Sequence, residues 1–289
     1  MKTRTGAFPI GFRRGGGEWQ RDLQTLVQWA VENGLEVIDL GADADTTAKT
    51  ALDAGLRIGS VNLPEVKGMI SADRARRADA VARNSDYIRA CAAHGPMNHF
   101  LVMLPEDSTL ARAENFAYMV ESFGELAPVL EASNARLVIE GWPGPGALCC
   151  TPEGYRAFFA QVPSPAMGIN YDPSHLIRMR IDHLRFLREF GDRVFHVHGK
   201  DTEVLEESLY EYGVEQPPTF AKPRPYAGMT WRYTIPGHGQ ARWVEIFQAL
   251  REHGYQGAVS IELEDANFHR DPEAEKLGIL QGARFLTGC

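Results

Sequence analysis

The chain has 289 residues, with 30 Lys plus Arg against 38 Asp plus Glu for a formal charge of −8, and it is 44% hydrophobic and 24% charged. This is a globular composition, and an acidic balance without a Lys/Arg-rich run excludes the large phosphate-neutralising surface that nucleic-acid binding needs. No apolar stretch approaches the roughly 18 residues of a membrane span, and the opening MKTRTGAFPIGFRRGGG lacks the apolar core of a secretion signal, so neither membrane nor export is expected. Four cysteines, Cys91, Cys149, Cys150 and Cys289, fit neither a disulfide framework nor a Cys-x-x-Cys metal site, which points to a reducing cytoplasm.

In chain order, a strand is expected over residues 5–11, a helix over 22–33 closed by Gly34, and a strand over 36–40. Helix 46–54, strand 57–63, helix 72–93, strand 99–104 and helix 111–132 follow. The same rhythm gives strand 137–140 (LVIE), helix 152–161, strand 167–172 (MGINYD), helix 184–190 and strand 194–198 (VFHVH). After a long segment over 199–239, rich in Pro, Gly and aromatics, come helix 242–253, strand 258–263 (AVSIEL) and helix 273–286. Strict strand–helix alternation implies parallel pairing with right-handed crossovers, and eight repeats are the number that closes a (β/α)8 TIM barrel. No Gly-x-Gly-x-x-Gly opens a helix after a strand, which disfavours an open dinucleotide-binding sheet. The expectation is an α/β chain whose residues 1–289 form one TIM-barrel domain with an extended loop after strand 7. Connections of that length are usually lids, binding loops or interface elements.

Functional groups of such a barrel sit at the carboxyl ends of its strands. Strands five to eight end in Glu140, Asp172, His198 and Glu262. Three carboxylates at one mouth would repel one another, and a divalent cation removes both the repulsion and the cost of burying them. Three oxygen ligands and one imidazole suit Mn²⁺, Mg²⁺ or Co²⁺, and Zn²⁺ is compatible. Other histidines are scattered singly, and His196 is expected to point away from the barrel interior. Arg74, Arg76, Arg77 and Arg83 are expected to form a solvated helix face. Lys200 and Asp201 read as an ion pair beside His198, and Trp142, Tyr226, Trp231 and Tyr233 as aromatics that either face a sugar or pack the loops.

These residues lie in VIEGWPG at Glu140, NYDPSHL at Asp172 and His175, HVHGKD around His198, PGHGQARW at residues 236–243 and GYQGAVSIELED at residues 254–265. In these motifs the chain resembles the xylose-isomerase-like TIM barrels, the sugar phosphate isomerase/epimerase family. The resemblance implies that Glu140, Asp172, His198 and Glu262 hold one divalent metal and that Glu140 and Glu262 are the acid/base pair. It implies a sugar isomerase or epimerase that abstracts a proton α to a carbonyl through a metal-stabilised enediolate, with an inosose-type dehydratase as the alternative outcome at the same site. It also implies that His175 and Arg232 contact substrate; His238, between Gly237 and Gly239 where the backbone can approach a ligand, and Trp142, an aromatic that can face a sugar, are further candidate substrate contacts. The expected partner is a small carbohydrate, a keto sugar or keto-glycoside given the long loop, with no nucleic acid and no membrane. Members of that family often form homo-oligomers, as dimers or tetramers. Two rivals remain: an endonuclease IV-like hydrolase, which needs further ligands on the first four strands, and a non-catalytic sugar-binding barrel.

Overall fold

The computed structural model describes residues 1–289. Its elements run β1 (Ile10–Arg13), α1 (Leu23–Glu32), β2 (Val37–Leu40), α2 (Ala44–Asp53), β3 (Arg57–Asn62), α3 (Val66–Met69), α4 (Arg74–Ala92) and β4 (Asn98–Val102). They continue with α5 (Arg112–Ala132), β5 (Arg136–Glu140), α6 (Pro152–Gln161), β6 (Met167–Tyr171), α7 (Pro173–Arg178), α8 (His183–Phe190) and β7 (Val194–Gly199). Last come β8 (Asp201–Val204), α9 (Glu206–Tyr212), β9 (Trp231–Thr234), α10 (Trp243–Glu252), β10 (Val259–Ile261) and α11 (Pro272–Thr287). Eight strands form a closed barrel in the order β1-β10-β7-β6-β5-β4-β3-β2, as the alternation predicts. No helix is long and apolar enough to cross a membrane.

Helix starts follow sequence signals. Asp22, Asp73, Asp182 and Asp271 each accept backbone N–H groups of the first turn, and Pro stands in the first turn of α6, α7 and α11, where its missing N–H costs nothing.

The chain divides into two compact units. The first comprises Met1–Val37, Asp172–Gly191 and Val197–Cys289. In it Ile10, Phe12, Val197, Val259 and Ile261 are fully buried, and Phe8 packs edge-on against Phe247 and Tyr255. The second comprises Ile38–Tyr171 and Asp192–His196. There β4, β5 and β6 pair in register, so that Val102 lies beside Glu140 and Glu140 beside Asn170. Arg77 is buried, not solvated as the Arg-rich pattern suggests: it donates to Ser71 O and Ala72 O and reaches Glu121 at 2.7 Å, tying α4 to α5.

The first strand begins five residues later than expected. Gly6 and Ala7 hold positive φ values of 81° and 51°, which a strand cannot contain, and the strand extends to Arg13. The long segment after β7 is a built substructure: β8 and β9 form an antiparallel pair in which Glu203 opposes Arg232 and Thr202 opposes Tyr233.

Candidate metal centre and active site

Asp172 sits between the last residue of β6 and Pro173, which starts α7. Its Oδ1 caps the helix by accepting from Ser174 N at 2.9 Å, so its Oδ2 is left to face other groups, with His175 Nε2 at 3.3 Å and Lys200 Nζ at 3.2 Å. The short turn of α7 brings His175 back over Asp172, as the Asp-Pro-Ser-His spacing predicts. His198 on β7 and Lys200, the residue just after that strand, are two residues apart and so share a face. Nδ1 of His198 lies 3.4 Å from Glu262 Oε2, immediately after β10.

Lys200 is the centre of the charge cluster. It is 1% exposed, and its ammonium reaches Asp172, Glu262 and, at 2.9 Å, Glu264. Three carboxylates for three N–H donors satisfy a buried charge that would be costly alone. Arg13 Nε adds a contact of 3.1 Å to the other oxygen of Glu262. Burial alone would raise the Glu262 carboxyl; Lys200, His198 and Arg13 together hold it well below the usual carboxylate range. Glu262 is therefore a carboxylate at neutral pH, the form a general base requires.

At the end of β5, Glu140 is buried and its Oε2 accepts from Asn170 Nδ2 at 2.8 Å. One ligand atom from each of Glu140, Asp172, His198 and Glu262 falls in a group whose members lie within 4.8 Å of one another. That is close to the span allowed by bonds of about 2.0–2.3 Å to one ion, and an oxygen-rich set with one imidazole suits a hard or borderline divalent cation. Charge agrees. Four carboxylates, Glu140, Asp172, Glu262 and Glu264, stand against the cations Lys200 and Arg13, which leaves the balance one divalent ion would neutralise.

The structure places the remaining residues as follows. Arg232 turns away and pairs with Glu203 across the hairpin, because neighbouring residues of β9 point to opposite faces. Its neighbour Tyr233 takes the inner place, 2.8 Å from His175 Nδ1 and with its ring 4.6 Å from Lys200 Nζ. His238 is exposed on a turn, and the flanking glycines answer to packing: a Cβ on Gly239 would lie 2.2 Å from Asp201 Oδ1. Trp142 is half-buried in the loop after β5 with its ring against Gly144. His196 points inward, not outward, since it stands two residues from His198; it is fully buried with Nε2 2.9 Å from Asp39 Oδ2. Lys200 and Asp201 point in opposite directions, and the Asp201 carboxylate accepts from Thr202 N, Ala241 N, Gly237 N and Trp243 Nε1. Cys149 and Cys150 are buried free thiols, Cys149 pushed up by burial and so not reactive.

Sequence reasoning missed Arg13, Glu264, Asn170 and the inward role of Lys200. Glu264 had a readable signal, its spacing of two from Glu262; Asn170 had the same spacing from Asp172.

A closed parallel barrel with a carboxylate- and histidine-lined group at its strand ends places the chain among the (β/α)8-barrel proteins. The chain belongs to the xylose isomerase-like TIM barrel family, whose model matches residues 23–289. Among curated relatives, an uncharacterized protein YfiH of Bacillus subtilis is 37% identical over 112 residues, 38% of this chain and 34% of that protein. Inosose dehydratase of Clostridium tetani is 22% identical over 167 residues, 58% of this chain and 53% of that one. The chain thus matches about a third to a half of the length of these relatives. Similar folds are 3-keto-D-glucoside 4-epimerase YcjR of E. coli (TM-score 0.70, 14% identity, 98% and 100% of the two chains) and a D-psicose 3-epimerase (0.72, 18%, 97% and 100%). An IOLI protein with a bound zinc atom also shares the fold (0.65, 18%, 96% of each chain).

Proposed function

We propose that the chain is a single-domain, divalent-metal-dependent sugar isomerase or epimerase acting on a keto sugar or keto-glycoside. The observation that carries this reading is the gathering of Glu140, Asp172, His198 and Glu262 within 4.8 Å at consecutive strand ends. Mn²⁺, Mg²⁺ or Co²⁺ is the proposed metal, with Zn²⁺ compatible. When bound there, the metal supplies a Lewis acid for the carbonyl and neighbouring hydroxyl of the sugar.

The protein's own groups supply the proton chemistry. Glu262, held ionised by Lys200 and Arg13, takes the proton from the carbon α to the carbonyl, and Glu140 on the other side of the sugar returns one. Return on the opposite face gives an epimer, and return to the neighbouring carbon gives an isomer. His175, fixed between Asp172 and Tyr233, contacts the sugar's oxygens.

A dehydratase is the second reading, favoured by the matched stretch of inosose dehydratase. Proton NMR of candidate keto sugars in D₂O with Mg²⁺ or Co²⁺ tests both. Deuterium uptake at one carbon with an epimeric or isomeric product supports the first reading, and loss of a hydroxyl the second. No exchange into any keto sugar would overturn both.

A further inference from the structure

A cavity of about 390 Å³ is bordered by Glu262, within the range of ordinary ligand sites. Arg14, Gly16, Gln20, Tyr226, His269 and Glu275 line it.

Its polar groups hold one another in place. Glu275 accepts from Trp19 Nε1 at 2.6 Å and from Gln20 Nε2 at 3.4 Å, and lies 3.4 Å from His269 Nδ1. Gln20 Oε1 accepts from Gly15 N at 2.6 Å, and Arg14 donates to Gln20 O and Arg21 O at 3.0 Å each. Tyr226, from the long segment, stacks on His269 with centroids 4.5 Å apart and rings inclined by 25°. The loop after β1 lies close: a Cβ on Gly17 would come within 2.9 Å of Glu275 Oε2, whereas one on Gly16 would meet nothing within 4 Å.

Fixed donors and acceptors beside aromatic rings suit a polyhydroxylated ring. The carboxylates of Glu262, Glu264 and Glu275 are matched by the charges of Arg13, Arg14 and Lys200, so the cavity offers no surplus charge to an ionic ligand such as a phosphate or uronate. We propose that this cavity is a second carbohydrate subsite for an uncharged glycosyl ring joined to the keto sugar whose reacting carbon lies at Glu262. The inference rests on the acid/base reading of Glu262. It gives the non-reacting part of the substrate a place where its binding energy serves to position the reacting part.

Calorimetric titration with Mg²⁺ present compares D-fructose with the keto-disaccharides lactulose, maltulose and isomaltulose. The expected result is that at least one disaccharide binds about tenfold or more tightly than fructose, and that Gly16→Phe, which fills open space in the cavity, removes most of that difference. Tyr226→Ala, which takes away the stacking face, is expected to reduce it at least fivefold. Equal affinity for fructose and every disaccharide, no binding of any of them, or a preference that survives both substitutions would overturn the subsite. A disaccharide that binds with the expected preference and takes up no deuterium would sink the isomerase reading and leave the subsite standing.

Discussion

The phenol oxygen of Tyr233 lies 2.8 Å from Nδ1 of His175, so the hairpin that follows β7 sets the orientation of a buried ring at the candidate centre. Arg178 Nη1 donates to the same phenol oxygen at 2.5 Å and its guanidinium lies 4.1 Å from the Trp231 ring. Arginine only donates, and burial keeps the phenol protonated, so the phenol proton is directed at Nδ1 of His175. With Nδ1 accepting, the imidazole proton sits on Nε2, which lies 3.3 Å from Asp172 Oδ2 and 3.5 Å from Lys200 Nζ.

Tyr233→Phe removes this direction. A hydrogen bond to a charged group contributes about 2 kcal/mol, so the melting temperature is expected to fall by about 4–8 °C. Nitrogen NMR should show His175 as the Nε2–H tautomer in the wild type and as a mixture in the variant. A wild-type ring protonated at Nδ1 alone would refute the assignment.

Lys200→Met leaves Asp172, Glu262 and Glu264 without their shared ammonium. Breaking a buried ion pair from one side costs about 3–5 kcal/mol, and the freed carboxylates attract a cation more strongly. Urea unfolding is expected to show that loss without metal and a larger recovery on adding Mg²⁺ than the wild type shows. Equal recovery in both proteins would place Lys200 outside the cation's field.

Glu262→Gln keeps a hydrogen-bond acceptor for Lys200 and Arg13 and loses the base. Turnover is expected to drop about 10²–10⁴-fold with sugar binding retained. A thoroughly demetallated wild type should also lose turnover and regain it with Mn²⁺, Mg²⁺ or Co²⁺. Full activity after demetallation would contradict the proposed chemistry.

His99, on β4, is fully buried edge-on to Tyr87, and burial lowers its pKa to about 4 from 6.5. Between those values the unfolded chain binds a proton that the folded chain refuses, so stability falls as pH drops from 6.5 towards 4 and is unaffected by this group above 6.5. The full loss is about 3 kcal/mol. His99→Leu should flatten that part of the acid slope, read from denaturant titrations at pH 7.5 and pH 4.5.

The barrel was legible because each strand and helix has its own apolar period, and the candidate ligands because Glu140, Asp172, His198 and Glu262 each close an apolar strand. The start of β1 was not. Residues 5–11 look strand-like, but the turn at Gly6 and Ala7 interrupts them, and the strand runs on to Arg13, whose side chain meets Glu262. His196 was readable in principle, since a spacing of two fixes its face. Arg232 was not, because the choice between it and Tyr233 is a choice of hairpin face that 41 residues of connection do not specify.

The sequence by itself determined the order of strands and helices and the residue type at each strand end, since both follow from periodicities within a few neighbouring residues. Only the tertiary structure decided that Lys200 turns to three carboxylates, that Tyr233 and not Arg232 meets His175, and that a cavity opens beside Glu262. Those outcomes depend on charges and rings far apart in the chain, whose meeting is set by the register of the hairpin and the closure of the barrel.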